Sequence, residues 1–212
     1  MENDLKLEEF ALERIQSVWE HSVEINLAES GIEPVRLSEI VDIEALRDVK
    51  LGYPQTNGSI ELRRHIASMY GGASENNIVV TNGGSEANMV TVWNLRHESG
   101  DRDEIVIELP NYMQIWGVAG AFGLKRKSFW LRAKDNRWMP DIEELKEKVS
   151  RKTLAIAVCT PNNPTGSVMK SEHLRAIAEI AEDCGAIVLS DEIYRGAELS
   201  GDMSPSMWDY SD

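Results

Sequence analysis

Apolar and polar positions along the chain follow two different periods. Residues 5–20 place Leu12, Ile15 and Trp19 on one face and acids opposite, which predicts an amphipathic helix. Preceding the body of the protein, it reads as an arm packed on another surface. Residues 25–51 contain Gly31 and Pro34, then a short helical pattern at Leu37, Ile40, Val41 and Ile43. Residues 52–58 are a loop by their Gly, Pro and Asn content. Ser59 can cap the helix that follows, which would turn Leu62, Ile66 and Met69 inward.

Beyond residue 77, short β-branched runs alternate with helical stretches. Strands are expected at 77–81, 104–109, 127–131, 153–159 and 186–190. Helices are expected at 85–97, from Pro110 towards Phe122, at 141–149 and at 170–183. Continuous apolar strands separated by helices mean βαβ units. The fold class is therefore α/β: a mainly parallel sheet with helices on both faces, plus an N-terminal helical arm. Ligands of open α/β sheets bind beyond the carboxyl ends of the strands. Gly83 to Glu86, Asn111 with Tyr112, Asn162 with Asn163, and Asp191 with Tyr194 all fall there.

Charge and composition narrow the function. A net charge of −14 argues against a nucleic-acid surface, which needs a positive field over phosphate. Cys159 and Cys184 lie far apart in or beside apolar segments and read as buried free thiols. His21, His65, His97 and His173 lack the paired spacing of a zinc site, so no metal is expected. No apolar run approaches the roughly 20 residues of a membrane span. The acidic start, Met1 to Asp4, has no signal-peptide pattern, and a reducing cytoplasm follows as the expected location.

Each candidate admits two readings. Gly83-Gly84-Ser85-Glu86 opens a helix, where free N–H groups and the helix dipole attract a phosphate; equally, Ser85 can be a plain N-cap. The later Gly of a dinucleotide fingerprint and the Lys of a P-loop are both missing. Tyr112 can stack on a planar ligand or be an ordinary packed tyrosine. Asn163, before Pro164-Thr165-Gly166, can donate an amide hydrogen bond to a phenolate oxygen or simply shape the turn. Asp191 ends an apolar strand, where a carboxylate is costly unless paired with a cation such as a protonated ring nitrogen. Its alternative is a helix N-cap. Tyr194, three residues on, can supply an O–H in the same direction.

As a set, these segments resemble the class I/II aminotransferases, the fold-type-I family that uses pyridoxal 5′-phosphate. The likeness rests on Gly58 with Arg63, Gly84-Ser85-Glu86, Pro110-Asn111-Tyr112, Asn163-Pro164-Thr165-Gly166 and Asp191-Glu192-Ile193-Tyr194, and it runs from about Tyr53 to Tyr194. Residues 10–14 and 26–30 resemble a less common branch. The resemblance implies that amides at Gly84, Ser85 and Glu86 hold the cofactor phosphate and that Tyr112 stacks on its ring. It implies that Asn163 and Tyr194 bond its O3′, while Asp191 pairs with the ring nitrogen and keeps the ring an electron sink. It also implies a homodimer with shared sites, Tyr53 reaching the neighbour's phosphate, and amino acids and 2-oxo acids as substrates. Residues 1–51 would be the arm and part of a small domain, and 52–212 the cofactor-binding large domain.

The family's Schiff-base lysine lies some tens of residues past its Asp-x-x-Tyr segment, with a carboxylate-binding arginine further on. None of Lys6, Lys50, Lys125, Lys127, Lys134, Lys146, Lys148, Lys152 and Lys170 has that context. Arg195 or Arg63 could attract a carboxylate in its place. The expectation is an amino-terminal portion of an aminotransferase, with Ser204-Pro205-Ser206-Met207-Trp208 reading as mid-domain sequence. The alternatives are a pyridoxal-phosphate lyase or cyclase, or a non-catalytic binding or assembly protein on the same fold.

Overall fold

A computed structural model describes residues 8–199 and 201–210. Residues 29–80 form one compact unit and the rest of the chain another.

In the smaller unit, α2 (Leu37–Ile40) and a 3₁₀ turn at Glu44–Leu46 take up the short helical pattern, and α3 spans Ile60–Ala67. Ser59 caps α3, its Oγ accepting from the Leu62 N–H at 3.3 Å. The inward face differs from expectation. Leu62 and Met69 are exposed, while Arg63 and Ala67 are buried. The reason is polar: the Arg63 guanidinium donates to the carbonyls of Gly58 (3.1 Å) and Glu75 (2.6 Å), tying α3 to its flanking loops. Residues 78–80, expected as a strand, join no ladder among the described residues. Val80 instead donates to the Asn57 carbonyl at 3.0 Å, and Val79 stays exposed.

The larger unit begins with α1 (Ala11–Trp19), shorter than the expected helix; its expected start at Leu5 to Leu7, and Lys6, lie outside the described residues. Then follow α4 (Gly84–His97), β1 (Glu104–Leu109), α5 (Gln114–Ala121), β2 (Lys125–Lys134), β3 (Arg137–Pro140), α6 (Ile142–Lys148), β4 (Thr153–Cys159), α7 (Ser171–Cys184) and β5 (Ile187–Asp191). The sheet order is β3-β2-β1-β4-β5, with every pair parallel except the β2–β3 hairpin. This is the expected mainly parallel α/β sheet. The hairpin was not expected: Asp135 and Asn136, both at positive φ, make its two-residue turn.

Side chains alternate across the strands. Val106, Phe129, Leu131, Ile156 and Val158 pack under α6 and α7 against Leu145, Leu174 and Ile177. Ile105, Ile107, Ala155 and Ala157 pack on the other face against Val92 and Leu95 of α4 and Ile115 and Ala119 of α5. Helices on both faces thus bury β4 from end to end. Met207 joins the first core, its N–H held at 2.8 Å by Glu192 Oε1. Cys159 is buried, but Cys184, near the end of α7, is only half-buried; both are free thiols. No helix among the described residues is long and apolar enough to cross a membrane.

Candidate functional site

The carboxyl ends of β1, β4 and β5 lie side by side, because β1 pairs with β4 and β4 with β5. Cys159 and Asp191 are register partners, and the Thr160 N–H donates to the Asp191 carbonyl at 2.9 Å. The loop after β4 and the turn after β5 therefore leave the sheet together. Asn163 Nδ2 reaches the Tyr194 hydroxyl at 3.3 Å, so the two residues expected to hold one oxygen of a ligand converge.

Asp191 is the centre of the arrangement. Its Oδ2 accepts from Asn88 Nδ2 at 3.0 Å, and its Oδ1 from the Ile193 N–H at 3.2 Å. The second bond shapes a turn, not a helix, so Asp191 is no helix N-cap. Asn88 is buried in α4 and also donates to Gln114 Oε1 at 3.1 Å, while Gln114 Nε2 donates to the Ser85 carbonyl at 2.7 Å. This chain of amides joins β5, α5 and the first turn of α4. Sequence reasoning missed Asn88, because one amide inside a helix looks like a surface residue.

The start of α4 is open. Gly83, at φ +90°, is the N-cap and makes no side-chain cap, so Ser85 is not the cap. The first backbone bond into the helix is Ala87 N–H to Gly83 O, which leaves the amides of Gly84, Ser85 and Glu86 without intrahelical acceptors. The carboxylate of Glu86 turns back to the Asn82 N–H. A Cβ on Gly84 would stand 3.5 Å from Ile193 Cδ1, so this helix end abuts the turn that carries Asp191 and Tyr194.

Tyr112, after β1, completes the cluster. Its hydroxyl donates to Glu13 Oε1 on α1 at 2.5 Å, and Phe10 tilts against its ring at a centroid distance of 4.9 Å. Burial, then the Glu13 hydrogen bond, hold the phenol well above its ordinary pKa, with Tyr194 and Asp191 adding to the effect. The arm is clamped again where both terminal guanidinium nitrogens of Arg126 donate to the Glu8 carboxylate, at 2.8 and 2.9 Å. Tyr53 sits fully exposed on a loop of the smaller unit. The two arginines considered for a substrate carboxylate are otherwise engaged: Arg63 as described, and Arg195 with the Ser204 carbonyl (2.9 Å) and Glu192 (4.0 Å).

This donor set fits a flat, cationic, phosphorylated ring. Open amides and a helix dipole suit a phosphate. A carboxylate held in place by Asn88 suits a cationic ring nitrogen, and an amide beside a phenol suits an anionic ring oxygen.

Residues 27–207 match the family described as aminotransferase class I and II. The chain belongs to that family. It is 34% identical over 148 residues to the glutamate-pyruvate aminotransferase AlaA of Haemophilus influenzae, covering 68% of this chain and 36% of that one. It is 34% identical over 155 residues to a probable aspartate aminotransferase of Methanocaldococcus jannaschii, covering 71% and 40%. The fold matches the crystal structure of a PLP-dependent aminotransferase from Streptococcus suis with a TM-score of 0.86 and 28% identity, over 97% of this chain and 56% of that one. This chain thus spans about two-fifths of the length of the curated relatives it matches. The family's cofactor is pyridoxal 5′-phosphate, the group for which the donor set is suited.

Proposed function

We propose that this chain holds the cofactor of an aminotransferase that moves an amino group between an amino acid and a 2-oxo acid. The observation that carries the reading is the convergence of the Asn163–Tyr194 pair, Asp191 with its Asn88 clamp, and the open first turn of α4. When bound, the cofactor supplies an electron sink for charge developing at the substrate's α-carbon.

The chain's own residues then have separate tasks. Asp191 would hold the proton on the ring nitrogen, with Asn88 fixing the carboxylate. The amides of Gly84, Ser85 and Glu86 would bind the phosphate. Asn163 and Tyr194 would orient the ring oxygen, and Tyr112 would cover one face of the ring and exclude water from it.

The same proposal includes a homodimer in which Tyr53 reaches the partner's phosphate, a cytoplasmic setting, and a division into an arm with part of a small domain (1–51) and a cofactor domain (52–212). It also includes a Schiff-base lysine outside these 212 residues. In support, Lys125, Lys127, Lys146 and Lys170 each pair with an acid, at 2.7, 2.8, 2.8 and 3.5 Å.

A titration of pyridoxal 5′-phosphate into the purified chain, followed by its absorbance, tests the reading. Asp191→Ala should weaken binding far more than Lys170→Ala. Equal affinities would remove Asp191 from the role.

A further inference from the structure

We propose that Glu108 is a positioning residue for the cofactor site: through Asn162 it sets the loop that carries Asn163 and the segment that carries Tyr112. The inference rests on the cofactor reading above.

Glu108 occupies a core position. It lies on β1 two residues from Val106, on the face that packs under α6 and α7, and is completely buried. An apolar residue would fill this place without cost, whereas a buried carboxyl is expensive unless hydrogen-bonded. Its Oε1 accepts from Asn162 Nδ2 at 2.9 Å, and its Oε2 has no partner among the described residues. Burial pushes the acid up to about 8, against the weaker pull of the Cys159 amide and Asn162, so the neutral form is the one the core holds.

Asn162 is the knot of the loop. The nitrogen bonded to Glu108 also donates to the Pro110 carbonyl at 3.1 Å, two residues before Tyr112. Its Oδ1 accepts from the Thr165 N–H (3.1 Å) and hydroxyl (2.7 Å), and its backbone pairs with Gly166 and Ser167 at 2.8 Å each. One side-chain amide therefore holds both strand exits, and Glu108 is the acceptor that fixes which way the amide faces. Without it, Nδ2 keeps only Pro110, and Asn163 is carried by a loop with one anchor fewer.

The test uses the full chain with Glu108→Gln, which keeps the acceptor and resembles the neutral acid, and Glu108→Leu, which removes it. Glu108→Met, closer to Glu in length, replaces Leu if that variant does not fold. Amide hydrogen exchange of residues 162–166 without cofactor, and the pyridoxal 5′-phosphate dissociation constant, are the two readouts. Loss of the acceptor should speed loop exchange about tenfold and raise the dissociation constant about tenfold, each a change of about 1.4 kcal/mol. Glu108→Gln should keep both near the parent values. A folded Leu or Met variant with parental exchange and affinity overturns the proposal, as does a Gln variant as impaired as Leu. If the parent chain binds no cofactor, the cofactor reading fails, and loop exchange alone still decides whether Glu108 positions the loop.

Discussion

The Tyr112 hydroxyl donates to Glu13 Oε1 at 2.5 Å, joining two residues 99 positions apart. The bond ties the arm to a ring at the candidate cofactor site. A hydrogen bond to a charged group contributes about 1.5–3 kcal/mol, at the low end when half exposed. Glu13→Ala should therefore destabilise the chain by about 1–2 kcal/mol. Tyr112→Phe in the Glu13→Ala background should cost little more, giving a coupling of about 1 kcal/mol in a urea double-mutant cycle. Additive losses would show that the arm is held only by Phe10 and the Glu8–Arg126 pair.

Asn88 satisfies two acceptors at once, Asp191 Oδ2 and Gln114 Oε1. Asn88→Leu fills the space but leaves both without a donor, at a cost of about 1–3 kcal/mol. Asp191 would also lose its orientation. We expect weaker cofactor binding from Asn88→Leu than from Met89→Leu, one residue along on the exposed face of α4. Matched titrations of the two variants provide the check.

How much of this was legible follows from what each signal depends on. The stretches 105–107 and 154–159 are uninterruptedly apolar, and a strand buried on both faces needs nothing else to declare itself. The run at 78–80 is as β-branched, yet among the described residues no strand lies beside it; propensity cannot supply a partner. The β2–β3 hairpin does carry a sequence mark, its Asp135-Asn136 turn, a pair suited to positive φ. Asn163, Asp191 and Tyr194 stand out as candidates because they follow strand ends. Asn88 and Glu108 do not, since a helix interior and a strand interior carry no mark of a polar partner far along the chain. For the same reason Arg63, a candidate for a substrate carboxylate on sequence grounds, is instead buried against the carbonyls of Gly58 and Glu75.

Two glycines separate backbone strain from helix propensity. Gly83 sits at φ +90°, where an L side chain is strained by about 1–3 kcal/mol. Gly117 lies inside α5, and a Cβ there would meet nothing within 4 Å. Gly83→Ala should lower stability and weaken phosphate-dependent binding, measured with inorganic phosphate and with pyridoxal 5′-phosphate. Gly117→Ala should raise stability by about 0.5–1 kcal/mol and leave binding unchanged.

Glu108 also gives stability a pH dependence of unusual sign. Its carboxyl is raised from 4.5 to about 8 in the fold, so between those values the folded chain holds a proton that the unfolded chain has released. Stability then falls as pH rises across this window. The contribution is whole below pH 4.5, lost by about 8 and constant above. Cys159 on β4, itself pushed up to about 12, and Asp191 on β5 are the other titratable groups of this cluster. Neither changes in Glu108→Gln, so urea unfolding of parent and variant from pH 5 to 8 isolates the effect. The variant should gain on the parent as pH rises; parallel curves would mean that Glu108 is not held neutral.

Glu198 titrates in the opposite sense. Its carboxylate accepts from the Ser204 N–H (2.8 Å) and hydroxyl and from the Gly196 N–H (2.9 Å), and these bonds hold it down to about 2. The unfolded chain protonates this group near 4.5, so its contribution is present above that pH and drains away as pH falls towards 2. Ser204 stands three residues before Met207, which packs in the core beneath α7. Acid should therefore release Glu198 and residues 201–207 before the sheet opens. Hydrogen exchange at Met207 between pH 5 and 2.5 should quicken ahead of exchange at Ile156. In Glu198→Gln the segment should already exchange quickly at pH 5, and the acid step should disappear.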